Sequence, residues 1–442
     1  MIRSTRINSE FLLSVIVTLF VAAGCSDPAP EAGDSSSAPA VESDESLEAI
    51  AYEAFIYAHP MMEQVKTLNG MFAFMGLKPN EASMNEALPW DNVGMPIVAP
   101  NLTSMTGGIF VDISGGPVTI EVPEVKDRYI VYQFVDVFTH NFFYLGTRAN
   151  NGDAGQFVLH NANQSLPTDN TATPVLMEGD LAIVIVRIDV KNEGESDRAR
   201  EIQNAIKVVE APATSRAYPA YDEKKAFSPA FVDYVSELLN EVPQSEVDMF
   251  ERFAKIGIMS DVSLSEDQMA EVQAGIDSGF EAIKAAVADL DVGNGYIAAT
   301  EVFGTREFLD GNYIGRAAGA DFGLWGNSKE EANYFMSFVE GEGQISFDSD
   351  ELPPLTDIGF WSITAHDENV HVLPNEYDSY VLTTDKMTFE EDGSLLISFS
   401  SEPESGNWLY TPGGKMVIVI RAYQADPDKI GSYVPPAFEP RK

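Results

Sequence analysis

Asp136 and His140 stand four residues apart in the segment RYIVYQFVDVFTHN. If that segment is a strand from Ile130, alternation puts Ile130, Tyr132, Phe134, Asp136 and Phe138 on one face, with His140 following in phase. A carboxylate among aromatic rings is desolvated, which raises its pKa unless donors or a cation meet it. Acid–base and hydrolytic sites use carboxylates of this kind beside a histidine. The competing reading is structural: a buried Asp136 tied to backbone amides or to Arg128, Arg148 or Arg187.

A second set lies in FWSITAHDENVH, where Ser362, Thr364 and His366 share a strand face. A serine with a histidine suggests nucleophile and base. Four residues of extended chain separate Ser362 from His366 by roughly 13 Å, however, far beyond a hydrogen bond. The chain has no G-x-S-x-G elbow, and H-E-x-x-H, Walker A and G-x-G-x-x-G are absent too. His366 and His371 are weak metal-ligand candidates that only a loop after the strand would bring together.

Aromatic and polar residues on strands are the currency of ligand binding. Tyr132, Trp361, Asn407, Trp408 and Arg421 are the candidates here, with Tyr410 and Tyr423 nearby. Rings stack on a sugar or a small organic molecule, and Asn and Arg fix its orientation. The same rings serve equally well as plugs for the ends of a sandwich. Arg421 follows the apolar run VIVI, and a buried guanidinium needs a partner, for which Asp136 and Asp367 are candidates.

The elements that must hold these residues follow from periodicity. Leu47, Ile50, Ala51, Ala54, Phe55 and Ala58 recur at helical spacing. From Gly107 the period becomes two: GIFVDI, PVTIEV, RYIVYQFVDVF, QFVLH and LAIVIVRIDV read as antiparallel strands. Helices return between about 194 and 290, with Pro229 after an N-cap Ser228 and a capping box of Ser265 and Gln268. Ser328 and Glu331 predict another helix, running to Gly341. FWSITAHD, SYVLTT, SLLISFS and MVIVIRAYQ then read as strands. The expected fold is mainly β with helical segments (α+β): two jelly-roll-like antiparallel β-sandwich units, an N-terminal helix and a helical insertion between them. The expected boundaries are 47–193 for the first sandwich, 194–300 for the helical segment and 301–442 for the second sandwich.

Before the body, Arg3 and Arg6 precede a 13-residue apolar run, Phe11 to Ala23. A helix of that length is too short for the ~30 Å hydrocarbon core, so residues 1–24 read as a signal peptide. The run ends in VAAGC, a lipoprotein signal in which Cys25, the chain's only cysteine, takes the lipid. Residues 25–46 are then the lipidated cysteine and a disordered tether. Ser26 is not the Asp that retains lipoproteins in an inner membrane, so the expectation is export and anchoring in the cell envelope, in the outer membrane of a Gram-negative cell.

Without residues 1–24 the chain holds 25 basic and 68 acidic residues. Such a charge repels nucleic acid and anionic lipid. It leaves room for calcium, but the nearest EF-hand-like run, DLDVGNGYIAATE from Asp289, has Gly293 at the fifth position, Asn294 where Gly is needed and Thr300 at the twelfth. No cofactor is expected.

RYIVYQFVDVFTHNFFYLGTR with the preceding GPVTIEVP resembles the bacterial family known as domain of unknown function 1254. YIGRAAGADFGLWGNSKEEANYF, LPPLTDIGFWSITAHDENVHVLPNEY, DGSLLISFS, GNWLYTP and IVIRAYQADPDKIGSYVPP resemble its usual companion, domain 1214. The resemblance implies paired jelly-roll-like sandwiches with helical additions and a homo-oligomer, and no established reaction. Where the family usually reads Asn-Asn-Asp-Thr-Leu-Tyr-Ser, this chain has Pro100 to Thr106 (PNLTSMT), without the carboxylate and the phenol. The leading expectation is an envelope lipoprotein binding a small molecule or glycan in a cleft between the sandwiches. The alternatives are a hydrolase or other enzyme using Asp136 and His140, and a structural oligomer of the surface.

Overall fold

Leu47–Met75 form a 29-residue helix, α1. Ser46 caps it by accepting from the Ala49 amide, Gly76 ends it at φ +65°, and Ile50, Ala51, Ala54, Phe55 and Ala58 make its buried face. In this computed structural model the described residues are 45–84, 88–93, 101–166, 171–190, 193–214, 217–372 and 374–441. Residues 1–24 with the expected signal peptide, Cys25 and nearly all of the tether lie outside them. No helix among the described residues is long and apolar enough to cross a membrane.

The first block of strands comprises β1 (Ala82–Met84), β2 (Ser104–Asp112), β3 (Val118–Val122), β4 (Ile130–Asp136), β5 (Asn141–Gly146), β6 (Gly155–Asn161), β7 (Thr173–Met177), β8 (Leu181–Asp189) and β9 (Lys207–Glu210). They make two sheets, ordered β1-β2-β8-β4-β5 and β7-β6-β3-β9. Their facing sides enclose one core, in which Ile130, Tyr132 and Phe134 of β4 meet Ile120 of β3 and Leu159 of β6.

Helices α2 (Ser196–Ala205), α3 (Glu223–Ala226), α4 (Val232–Leu238), α5 (Val247–Phe253), α6 (Glu266–Ala288), α7 (Arg306–Leu309) and α8 (Tyr313–Gly323) follow. The box of Ser265 and Gln268 starts α6 as expected. α1, α4, α5 and α6 form a layer on the outer side of the first sheet, against Phe110, Val135, Leu181, Ile183 and Ile185. A Cβ on Gly275 of α6 would lie 2.2 Å from the Glu48 carbonyl oxygen, so glycine sets the close crossing with α1.

The second block comprises β10 (Asp291–Gly293), β11 (Tyr296–Ala298), β12 (Ala332–Glu340), β13 (Gly343–Phe347), β14 (Leu355–Asp367), β15 (Val381–Thr383), β16 (Leu395–Ser400), β17 (Asn407–Tyr410), β18 (Lys415–Ala425) and β19 (Glu439–Pro440). Its sheets run β10-β11-β12-β18-β14-β15 and β17-β16-β13-β19. Apart from β10, each strand sits where its counterpart ten numbers earlier sits in the first block. Even a parallel pairing of neighbouring strands, β6 with β7 and β16 with β17, is repeated. The mixed α+β fold with two β-sandwich units agrees with expectation, and the two units share one topology.

One local expectation is corrected. Residues 332–340 are strand β12, not the helix expected from Ser328 to Gly341. The sequence NYFMSFV favours an extended chain, and Glu331, read as a helix cap, is buried, accepting from Tyr129 at 2.9 Å and pairing with Arg148 at 2.7 Å. The calcium-like run from Asp289 is the hairpin of β10 and β11.

Candidate functional site

β4 turns into β5 through Asp136 to His140. Asp136 Oδ1 accepts from the amides of Phe138 at 2.9 Å and His140 at 2.8 Å, and Oδ2 lies 3.3 Å from His140 Nδ1. Thr139 completes the turn at φ +73°. Glu178, between β7 and β8, brings a third group, so that one ligand atom from each of Asp136, His140 and Glu178 lies within 4.8 Å of the others. A divalent cation or an acid–base pair is compatible with that set.

The surroundings supply a cation of their own. Arg306, at the start of α7, donates to Glu178 at 2.7 Å and to Glu246 at 2.5 Å, and lies 4.8 Å from the Phe138 ring centre. Burial lowers the Arg306 pKa, but Glu246, Glu178 and Asp136 outweigh it and raise the value. Glu246 is buried and also accepts from Tyr57 at 2.7 Å and Tyr313 at 2.9 Å. Burial and Glu246 push the Tyr313 phenol up to about 12 and Tyr57 well above its ordinary value, so both remain donors. Arg316 is buried over the Tyr57 ring and donates to the backbone carbonyls of Tyr57 and Phe138.

The second sandwich repeats the turn. Asp367 Oδ1 accepts from the amides of Asn369 at 2.9 Å and His371 at 2.8 Å, His371 Nδ1 lies 3.7 Å from Asp367 Oδ2, and Val370 has φ +62°. The Asp–His pair is therefore a hairpin device of both units. Glu178, Arg306 and Glu246 are what distinguish the first copy. The arginines correspond as well. Arg187 pairs across from Val131 and donates to Gln133 at 2.7 Å; Arg421 pairs across from Ser362 and donates to Thr364 at 2.9 Å.

Sequence reading joined Asp136 to His140, and the structure keeps them together. The arginines expected near Asp136 go elsewhere: Arg128 to Asp127 and Glu195, Arg148 to Glu331, Arg187 to Gln133. Asp136 and Asp367 are not the partners of Arg421 either, because each carboxylate is consumed by its own turn. His366 is buried with its Nε2 2.7 Å from Thr364 Oγ1, and burial first, then Arg421, depress its pKa to about 3. His366 and His371 thus take different partners.

The ligand-binding candidates are dispersed. Tyr132 belongs to the core of the first sandwich and Trp361, 2 % exposed, to that of the second. Asn407 ties the Thr388 amide and carbonyl and the Leu396 carbonyl, a structural role. Trp408 is half-buried, donates to Ser400 at 2.8 Å and meets the Tyr377 ring at 5.3 Å. Arg421 lies on the face of the second sandwich that packs against the first. There Tyr129, Phe360 and Tyr423 stack and interlock at 4.4–5.6 Å.

A roomier feature escaped the sequence reading. A cavity of about 200 Å³ lies beside the C-terminal end of α1, lined by Phe72, Leu77, Pro79, Phe110, Asp112, Leu181 and Tyr218. The rings of Phe72, Phe110 and Tyr218 stand edge to face, with centres 5.1–5.4 Å apart. One wall is stitched in place: the Asn80 amide donates to the Phe110 carbonyl at 2.7 Å, and the Asn80 side chain bonds both backbone groups of Asp112. Asp112, at the end of β2, was the one available signal, a carboxylate closing an apolar strand.

A model for "Protein of unknown function (DUF1254)" matches residues 79–210, and one for "Protein of unknown function (DUF1214)" matches residues 339–427. The chain carries the DUF1254 and DUF1214 regions, in that order. The VPA0106 protein from Vibrio parahaemolyticus has a similar fold: TM-score 0.72 and 18 % identity, over 90 % of this chain and 100 % of that one. An uncharacterized protein from Burkholderia cenocepacia matches with TM-score 0.41 and 15 % identity, over 84 % of this chain and 85 % of that one. No curated protein matches. Asp112, Asp136, His140 and Glu178 fall in the DUF1254 region, whereas Phe72, Tyr218, Glu246 and Arg306 lie outside both regions.

Proposed function

We propose that the chain is an exported, lipid-anchored protein of the cell envelope whose body binds a small molecule without turning it over. The observation that carries this reading is the aromatic-walled cavity of about 200 Å³ between α1 and the first sandwich. Apolar walls with a few polar groups are the usual form of small-ligand sites, and a cavity of this volume suits a molecule not much larger than benzene. This reading puts the site beside α1 instead of in the expected cleft between the sandwiches. A thermal-shift screen of a metabolite library tests it. At least one compound is expected to raise the midpoint of the wild type and to lose that effect in Leu77→Trp, which narrows the cavity. A library without hits, or hits unaffected by the substitution, would count against it.

A second reading is favoured by one observation, the convergence of Asp136, His140 and Glu178 within 4.8 Å. In that reading the cluster is a hydrolytic or metal-assisted centre. Hydrolase screening settles the matter if turnover appears and is lost in Asp136→Asn with the fold retained; no turnover in either protein leaves the binding reading in place.

A further inference from the structure

Asp112 is a buried carboxylate, 3 % exposed, on the wall of the cavity. Its Oδ1 accepts from the Ser114 amide at 2.9 Å and its Oδ2 from the Thr214 hydroxyl at 2.5 Å. These two neutral donors are its side-chain partners, and no described Lys, Arg or His pairs with it. Buried carboxylates are ordinarily met by a cation, since leaving the charge uncompensated in an apolar setting is expensive. Facing the same space are the rings of Phe72, Phe110 and Tyr218, whose π faces attract positive charge.

Resting on the binding reading above, we infer that the cavity takes a small organic cation, a quaternary or alkylated ammonium head. The cationic head would meet the Asp112 carboxylate, while its methyl groups pack on Phe72, Phe110, Leu77 and Leu181. A hydrated metal ion is a poor occupant, because it demands several oxygen ligands and the described lining offers one carboxylate. The net charge of −42 also draws cations towards the surface.

The test is calorimetric titration of the detergent-solubilised full chain with choline and with 3,3-dimethyl-1-butanol, which replaces the ammonium nitrogen by carbon at the same shape. Choline is expected to bind at least tenfold more tightly than the alcohol, and to weaken at least tenfold in Asp112→Asn. Should that variant not fold, Phe72→Leu keeps an apolar side chain but removes the ring, and there choline is expected to weaken several-fold more than the alcohol does. Equal binding of choline and alcohol would overturn the cation assignment and leave a small-molecule site standing. Binding of neither, with other compounds bound in the library screen, would also overturn it; an empty library as well would remove both readings.

Discussion

Glu246 takes donors from Tyr57, Tyr313 and Arg306, three side chains from three different helices. Removing it would strand a guanidinium and two hydroxyls in a buried setting. Glu246→Ala is therefore expected to lose about 3–5 kcal/mol in urea denaturation, whereas loss below about 1 kcal/mol would mean that water replaces it freely. His366 gives a pH signature. Its folded pKa of about 3 lies below the unfolded value near 6.5, so the unfolded chain takes up a proton that the folded chain refuses. Stability contributed by this group is present above pH 6.5 and lost as pH falls towards 3, at a slope of up to about 1.4 kcal/mol per pH unit. His366→Gln should flatten that part of the acid limb; an unchanged slope would show that His366 titrates normally. At this scale the sequence brought Asp136 and His140 together, although the strand ends at Asp136 and a turn, not continued strand phase, joins them. Glu178, Arg306 and Glu246 were not legible, because only the packing of α7 and the helical layer brings such distant positions together.

At the scale of elements, the two Asp-x-x-x-His turns place a β-branched residue, Thr139 and Val370, at positive φ. That conformation costs roughly 1–2 kcal/mol for an ordinary L-residue, and less for Asn. Val370→Asn is expected to raise stability by about 0.5–1 kcal/mol, read as a higher midpoint in urea; a lower midpoint would mean that the Val370 side chain contributes more than its backbone loses. The crossing of α1 and α6 at Gly275 is as sensitive in the other direction. Gly275→Leu should separate the helices and lower stability by about 3 kcal/mol or more. Helix α1, the box opening α6 and the alternating strands were readable from spacing alone. β12 was not, since Ser328 and Glu331 imitate a capping box while Glu331 serves a buried pair with Tyr129 and Arg148. The shared topology of the two blocks was hidden for a similar reason: what survives in both is an Asp-x-x-x-His turn and one arginine after an apolar run.

For the whole molecule, the duplication explains how the blocks meet. Tyr129 and Phe360 occupy equivalent positions, each seven residues before the aspartate of its Asp-x-x-x-His turn, and their rings touch at 5.4 Å. Equivalent faces thus pack against each other through aromatic residues, and the proposed ligand site lies elsewhere, at the seam between α1 and the first sandwich. The proposed anchor makes a cellular expectation: Cys25→Ala should move the protein from membrane to soluble fractions, and continued membrane association would remove the lipidation assignment. The central claim is that the cavity beside Phe72, Phe110 and Asp112 holds a small molecule. Mass spectrometry of small molecules released from the protein purified from its own cells tests it most directly. The wild type should release one compound in near-stoichiometric amount and Leu77→Trp should release none; the same compounds from both, or none from either, would contradict the account.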